Sequence, residues 1–437
     1  MKRKPLALTL ISAIMFLAIA GTQFVNLASA NFLPPPPELP YVYIRADGTV
    51  EPQTLPIQRV GNTYTFTGNI VNYTLAIQRD NVVIDGAGYT LQGNGTGKGI
   101  VMTNMTNVTV KRIVLRNLDT GVYCMQSSAS NISENTIANC DIGIYLSSSP
   151  NNNVARNNIM KSASAIIAYA SSNNIIVENQ IKENTWYGIA LEAGYDYRPS
   201  NHCNIVRNNI TSNVEQGIRV SSSSYCRIEE NIIASSKIGI QFYGSACQQN
   251  TIINNTIVNH TWGIQMTAGP SFYTVTGNSI ANNEYGIYIF NSNSSLFFHN
   301  NFINNRRHVS INLPVDVDDS PDSLVPSVPP SVNAWDNGRE GNFWSNYTGK
   351  DANGDGVGDA FYVIDNSNQD RFPLMKPVTA PLISIPGFPD KENPTTPTTE
   401  PFPTVPVVAA SVIVAVVVGA GLLVYFRKRH TKSGVKA

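Results

Sequence analysis

The chain has 437 residues, with 30 Lys and Arg against 30 Asp and Glu, for a net charge of zero. That balance provides no overall field to gather nucleic acid or acidic polymers, so no nucleic-acid partner is expected. Charged residues make up only 14%, which fits a polar, uncharged, stacked surface, and five cysteines leave at least one thiol unpaired.

Residues 1–30 read as a secretory signal. Lys2, Arg3 and Lys4 form a basic head, 6–20 an apolar stretch, and Ala28-Ser29-Ala30 an A-x-A cleavage site. Residues 31–80 read as a Pro-rich linker, at 34–40, followed by a lead-in or cap.

From 81 to 312 a short unit returns about every 22 residues. Its first element, Gly-Ile-x-apolar, falls at Gly99, Gly121, Gly143, Ala165, Gly188, Gly217, Gly239, Gly263 and Gly286, and His308 continues the series. Its second, Asn-x-Ile, falls at Asn135, Asn157, Asn179, Asn208, Asn231, Asn255, Asn278 and Asn301. A fixed period of this size predicts a solenoid. Apolar residues alternate within each unit: Ile144 and Leu146 flank Tyr145, and Ile218 and Val220 flank Arg219. Alternation means strands, with the Ile members inside and Tyr145, Arg219, Gln241 and Tyr288 outside. Such a unit holds about three short strands and three turns, one coil of a parallel β-helix. About ten coils at about 4.8 Å each predict a rod roughly 50 Å long. Asn stacked over Asn suits a turn, because Asn tolerates left-handed backbone and its amides can bond along the axis. Cys203 and Cys226 fall one coil apart at matching positions, open to either a disulfide or apolar packing, and Cys124 falls in the inward column of Leu146 and Leu191.

One coil, between Gly188 and Gly217, is longer and carries an insertion at 193–202 (AGYDYRPSNH). Insertions in a solenoid become loops on one face, often the binding face. Tyr195 and Tyr197 can stack on sugar rings. Asp196, Arg198 and His202, with Glu192, are candidates for acid, base or carboxylate partner. Trp186 and Tyr187 precede Gly188, and Trp262 and Tyr285 precede later glycines near the same column, an aromatic stripe suited to a polysaccharide.

Residues 313–375 read as a Pro-rich loop and a capping segment. Within the latter, 351–359 (DANGDGVGD) places oxygen ligands Asp351, Asn353, Asp355 and Asp359 at loop positions 1, 3, 5 and 9, with the Val357 carbonyl at 7. The spacing matches an EF-hand-like calcium loop, although Tyr362 stands where position 12 supplies a bidentate Glu. A structural Ca2+ is therefore expected, and no organic cofactor. Residues 376–403 read as a Pro/Thr-rich stalk and 405–426 as a transmembrane helix long enough to span a bilayer. The basic tail at 427–437 marks the cytoplasmic side. The expected partner is thus the membrane, through one C-terminal span, with the bulk of the chain extracellular. Ten N-x-Ser/Thr sequons, among them Asn72, Asn104, Asn107, Asn254 and Asn346, predict a glycoprotein.

Residues 81–93 (NVVIDGAGYTLQG) resemble the opening coil of NosD-type β-helix proteins, a broad group of carbohydrate-binding and sugar-hydrolase β-helix domains. Residues 43–48 (YIRADG) and 64–69 (YTFTGN) are similar to the lead-in of archaeal surface members, and 341–359 (GNFWSNYTGKDANGDGVGD) to the segment that closes their solenoid. The resemblance covers 41–375 and implies an all-β, right-handed, single-stranded parallel β-helix. It also raises copper, since NosD is linked to copper-site maturation of nitrous oxide reductase. Copper needs soft ligands or clustered imidazoles, and the five His of this chain are scattered at His202, His260, His299, His308 and His430.

The motif series of β-helix polygalacturonases is incomplete. There is no Gly-His-Gly, and the only Asp-Asp, Asp318-Asp319, lies in the Pro-rich loop. No epimerase Asp-Pro-His-Glu occurs either. The sequence therefore favours a membrane-anchored extracellular β-helix that binds polysaccharide or a surface glycoprotein without catalysis. The alternatives are a tethered lyase, hydrolase or epimerase working at 193–202 and, last, a copper-related accessory protein.

Overall fold

The computed structural model describes residues 39–312 and 331–379, except Tyr195, Ala268 and Pro270. The signal at 1–30, the Pro-rich loop at 313–330, the stalk beyond Thr379, the span at 405–426 and the basic tail lie outside them. Among the described residues no helix is long and apolar enough to cross a membrane.

The described residues form an all-β parallel β-solenoid of about 11 turns. One coil consists of the strands Asn153–Ala155, Asn158–Met160 and Ser164–Tyr169. Each pairs in parallel with its counterparts above and below. Val154 sits between Ile132 and Ile176, Ile159 between Ile137 and Ile181, and Ile166 between Ile144 and Ile189. These stacked residues are fully buried. Burying each such side chain contributes about 1.5–3 kcal/mol, and a β-branched residue suits a strand besides. Two of the columns share a 23-stranded sheet because Val114–Met125 and Thr136–Ser147 run straight through the intervening turn, and the third column forms a 12-stranded sheet.

Glycine recurs at the start of the long strands because the coils touch there. A Cβ at Gly143 would lie 2.5 Å from the Ala165 carbonyl oxygen and 2.7 Å from Ile159 Cγ2.

Parallel pairing begins earlier than the sequence suggests. Tyr41–Ile44 already pairs with Thr74–Ile77, and Thr63–Phe66 with Val83–Asp85. The lead-in at 31–80 therefore supplies the first turn, bringing the count to about eleven rather than ten. Val42, Ile44, Tyr64 and Phe66 alternate into the core and cover an inner face the first coil would otherwise leave bare. At the other end Phe343–Trp344 pairs in parallel with Asn301–Ile303. Aromatic plates close the core there: Phe302 on Trp344 at 4.3 Å, Trp344 on Tyr362 at 4.1 Å, and Phe297 on Trp335 at 4.3 Å between ring centroids.

The asparagine ladder is continuous, with one correction. Asn135 Nδ2 donates to Asn157 Oδ1 at 3.0 Å, and the chain of amides runs on through Asn179, Asn208, Asn231, Asn255 and Asn278. It then passes through Asn300, not Asn301, and on to Asn342. Register pairs Ile280 with Phe302, so Asn301 is a strand residue opposite Ser279. A Phe in the isoleucine column hid that shift, because Asn301-x-Ile303 matches the motif better. Left-handed backbone is also not the reason for Asn here. The positive φ belongs to the preceding residue, as at Glu134, Arg156, Glu178, Arg207 and Glu230. The asparagines are selected as buried amides that satisfy main-chain groups of neighbouring coils.

All five cysteines are free and buried. Cys203 and Cys226 are stacked neighbours, since Asn204 pairs with Arg227 immediately after them. The hydrogen bond with Cys203, and burial after it, push the Cys226 thiol up. Burial pushes the Cys140 thiol up to about 12. Cys124 lies beside Leu146 in the interior.

Candidate functional site

The insertion reads out cleanly in the ladders. Ser149 to Ser171 is 22 residues and Ser171 to Ser200 is 29, so seven residues are extra. The excess forms a loop after Glu192, closed by Gly194 N–H donating to the Arg198 carbonyl at 2.8 Å. Asp196 and Arg198 pair with each other on the exposed side of this loop, and the Arg198 guanidinium holds the Asp196 carboxyl below its ordinary value. Arg198 also donates to Ser148 Oγ at 3.4 Å, so the loop leans toward the preceding coils. Tyr197 is 90% exposed with positive φ, and Tyr195 lies outside the described residues. His202 does not join Asp196 and Arg198. It stacks on Tyr225 of the next coil, ring centroids 4.9 Å apart.

Glu192 also leaves that group. It ends the strand Tyr187–Glu192 and accepts from Arg219 Nε at 2.7 Å across to Gln216–Ser221. Arg219 further donates to Gln241 Oε1 at 3.0 Å, and its guanidinium carbon lies 5.7 Å from the Tyr187 ring centroid and 5.2 Å from that of Tyr243. Gln216 Nε2 donates to the same Gln241 oxygen at 2.9 Å, and Gln241 Nε2 to Gln265 Oε1 at 2.6 Å. This polar patch lies on the outer face of the long strands. The side chains of Arg219 and Glu192 are only 20% and 23% exposed, so their geometry is fixed before any ligand arrives. Gln216 Oε1 and Trp262 Nε1 on this face are shut off from solvent without a hydrogen-bond partner among the described residues. Each costs about 1–3 kcal/mol until a polar partner reaches it.

The aromatic stripe is real but interrupted. Tyr187, Gln216, Ile238, Trp262 and Tyr285 hold one register position on successive coils. Trp186 meets Tyr187 edge-on at 6.1 Å and is 58% exposed, and these two line a groove of about 420 Å³ with Thr185, Glu215 and Gln216. Trp262 and Tyr285 are near-parallel, 6.4 Å apart. A second aromatic group, Tyr123 beside Tyr145 at 5.7 Å and Tyr145 beside Tyr169 at 6.5 Å, runs along the same face toward the N-terminal end. The sequence signal for it was the outward position between Ile144 and Leu146.

In the closing segment Asp351 accepts N–H groups of Gly354 at 2.7 Å, Asp355 at 3.2 Å and Gly356 at 2.9 Å. Asp355 accepts from Val357 N–H and Asp359 from Ala352 N–H, both at 2.9 Å, and Asn353 donates to Asp355 at 2.9 Å. Among the described residues no group of three or more His, Cys, Asp or Glu converges as a metal set. The histidines stay apart as well. His260 is buried against the Ser236 and Ile233 carbonyls, His299 pairs with Glu340 at 2.6 Å, and His308 packs on Phe302 and Trp344. The described donors do not fit copper.

The sequence profile of the family described as periplasmic copper-binding protein (NosD) matches residues 49–198 and 187–349. No curated protein matches the chain. Among solved structures, the A-module of the Azotobacter vinelandii mannuronan C-5 epimerase AlgE6 is similar at 14% identity, covering 61% of this chain and 68% of that one, with a TM-score of 0.41. A variant of the periplasmic alginate epimerase AlgG is similar at 15%, covering 67% and 76%, with a TM-score of 0.39. PfbA, a surface adhesin of Streptococcus pneumoniae, is similar at 12%, covering 57% and 82%, with a TM-score of 0.38.

Proposed function

This chain belongs to the NosD family, and from that premise we propose that it is a membrane-anchored extracellular β-solenoid that binds glycans, without catalysis, along the outer face of its long strands. The observation that carries the proposal is Arg219, held between Glu192, Gln241 and two tyrosine rings on the outer face of the long strands. Planar rings, amides and a fixed ion pair are what a polyol needs: faces to stack on and donors and acceptors already in place. Tyr187, Trp186, Trp262 and Tyr285 supply the stacking faces, and Tyr197 overhangs one edge on its loop. Asp196 and Arg198 neutralise each other in solvent, which favours binding over acid–base work at that loop.

The test uses the full chain in detergent on immobilised neutral and acidic polysaccharides, reading retention together with new reducing ends or unsaturated products. Retention without product is expected, weakened on the order of tenfold by Arg219→Ala or Tyr187→Ala. Retention indifferent to both changes would remove the site. Product that vanishes in Glu192→Gln, Asp196→Ala or Arg198→Ala would make the protein a tethered enzyme instead.

Calcium at 351–359 belongs to the same proposal as a structural ion that would draw the Asp351, Asn353, Asp355 and Asp359 side chains and the Val357 carbonyl together. What supports it is the loop wound about the Asp351 carboxylate. A melting temperature that rises with calcium and falls with chelator is expected, and one unmoved by either would sink it.

A further inference from the structure

The outer column that passes through Tyr187 changes chemistry toward its C-terminal end. Trp262, Tyr285 and Arg307 occupy the same position on three successive coils. The guanidinium carbons of Arg306 and Arg307 lie 5.5 and 6.0 Å from the Tyr285 ring centroid. The two cations differ in their company. Arg306 pairs with Glu284 at 2.9 Å and donates to Tyr285 Oη at 3.3 Å. Arg307 has no acidic partner within ion-pair distance among the described residues, although it is exposed. Beside them opens a cavity of about 210 Å³, lined by Arg306, Arg307, His308, Asn346 and Tyr362 and, among the described residues, by no Asp or Glu. Burial pushes the His308 imidazole down to about 4, so at neutral pH the arginines supply the charge.

We infer that this end of the column is a subsite for an acidic sugar, with the ring on Trp262 and Tyr285 and the carboxylate on Arg307. The inference deepens the glycan-binding proposal and rests on it. One coil step of about 4.8 Å separates stacking ring from cation, within the reach of a single uronate residue. A guanidinium fork matches a carboxylate with two parallel hydrogen bonds, which a neutral hydroxyl cannot replace. The subsite differs from the Glu192–Arg219 patch, where the cation is already matched by its own carboxylate.

The experiment compares polygalacturonate, the same polymer with its carboxyls reduced, and dextran sulfate, all on the full chain in detergent. Polygalacturonate should be retained at least about tenfold more tightly than the reduced polymer. Arg307→Ala should abolish that preference, Arg307→Lys should keep part of it, and Trp262→Ala should weaken both polymers alike. Arg156→Ala, on another edge, should leave retention as it was. Equal retention of native and reduced polymer would overturn the acidic subsite while the glycan-binding proposal survives. Retention of neither would end both. Dextran sulfate held as tightly as polygalacturonate would make the arginines a plain ion exchanger and overturn the carboxylate assignment.

Discussion

Two stacks run along this solenoid, and they obey opposite rules. In the asparagine turn the residue hardly changes from coil to coil, and every side chain bonds its neighbours. On the outer face of the long strands the same register position reads Tyr123, Tyr145, Ile167, Ala190, Arg219, Gln241, Gln265 and Tyr288. The buried turn has main-chain groups that an amide in that place satisfies with both its oxygen and its nitrogen, so its identity hardly varies. The outer face leaves its backbone bonds to the sheet and is free to vary. A solenoid therefore separates stability from recognition by side of the coil rather than by region of the chain.

The sharpest way to break this contrast is Asn208→Ala. Asn208 donates to the Ile176 and Val206 carbonyls and to Asn231, and accepts from Asn179 main chain and side chain, at 2.9–3.1 Å. Its loss leaves several buried groups unpaired, and a destabilisation of roughly 3–5 kcal/mol is expected in denaturant unfolding. Next is the ladder's end. Asp370 accepts from Asn342 N–H at 2.7 Å and Trp344 Nε1 at 2.9 Å, so Asp370→Ala should cost about 2–4 kcal/mol by the same measurement, and Asp370→Asn less.

A smaller effect concerns acid. Burial holds His308 at about 4 in the fold, below its ordinary 6.5. Between those values the unfolded chain binds more protons than the native one, so stability falls as pH drops through the window from 6.5 to about 4. A thermal scan across that window should show His308→Gln losing about 2–4 °C less than the parent. The smallest effect should be Arg219→Ala, which removes a partly exposed pair and changes stability by less than about 1 kcal/mol while weakening glycan retention. If it instead destabilised the solenoid as much as Asn208→Ala is expected to, the two stacks would not be different in kind.

The parts of the candidate site legible in the sequence were the insertion and the aromatic positions. Their partners were not. Asp196, Arg198, His202 and Glu192 are neighbours in sequence, yet the loop pairs the first two in solvent, the turn sends His202 onto Tyr225, and the strand delivers Glu192 to Arg219, 27 residues away. A seven-residue insertion resets which outward residues face each other, and spacing alone cannot say where the chain rejoins its column.

The sequence by itself determined the coil. A 22-residue period with alternating Ile and recurring Gly and Asn admits few backbone paths, because each coil must bury the same face on the next. Only the tertiary structure decided the register at the end, where Phe302 takes the isoleucine column and Asn300 the ladder, and where Asp370 closes it. It alone decided which outer side chains meet. Inward contacts repeat and can be read from period, whereas outward contacts join different residues on each coil and depend on the final stacking of one coil against another.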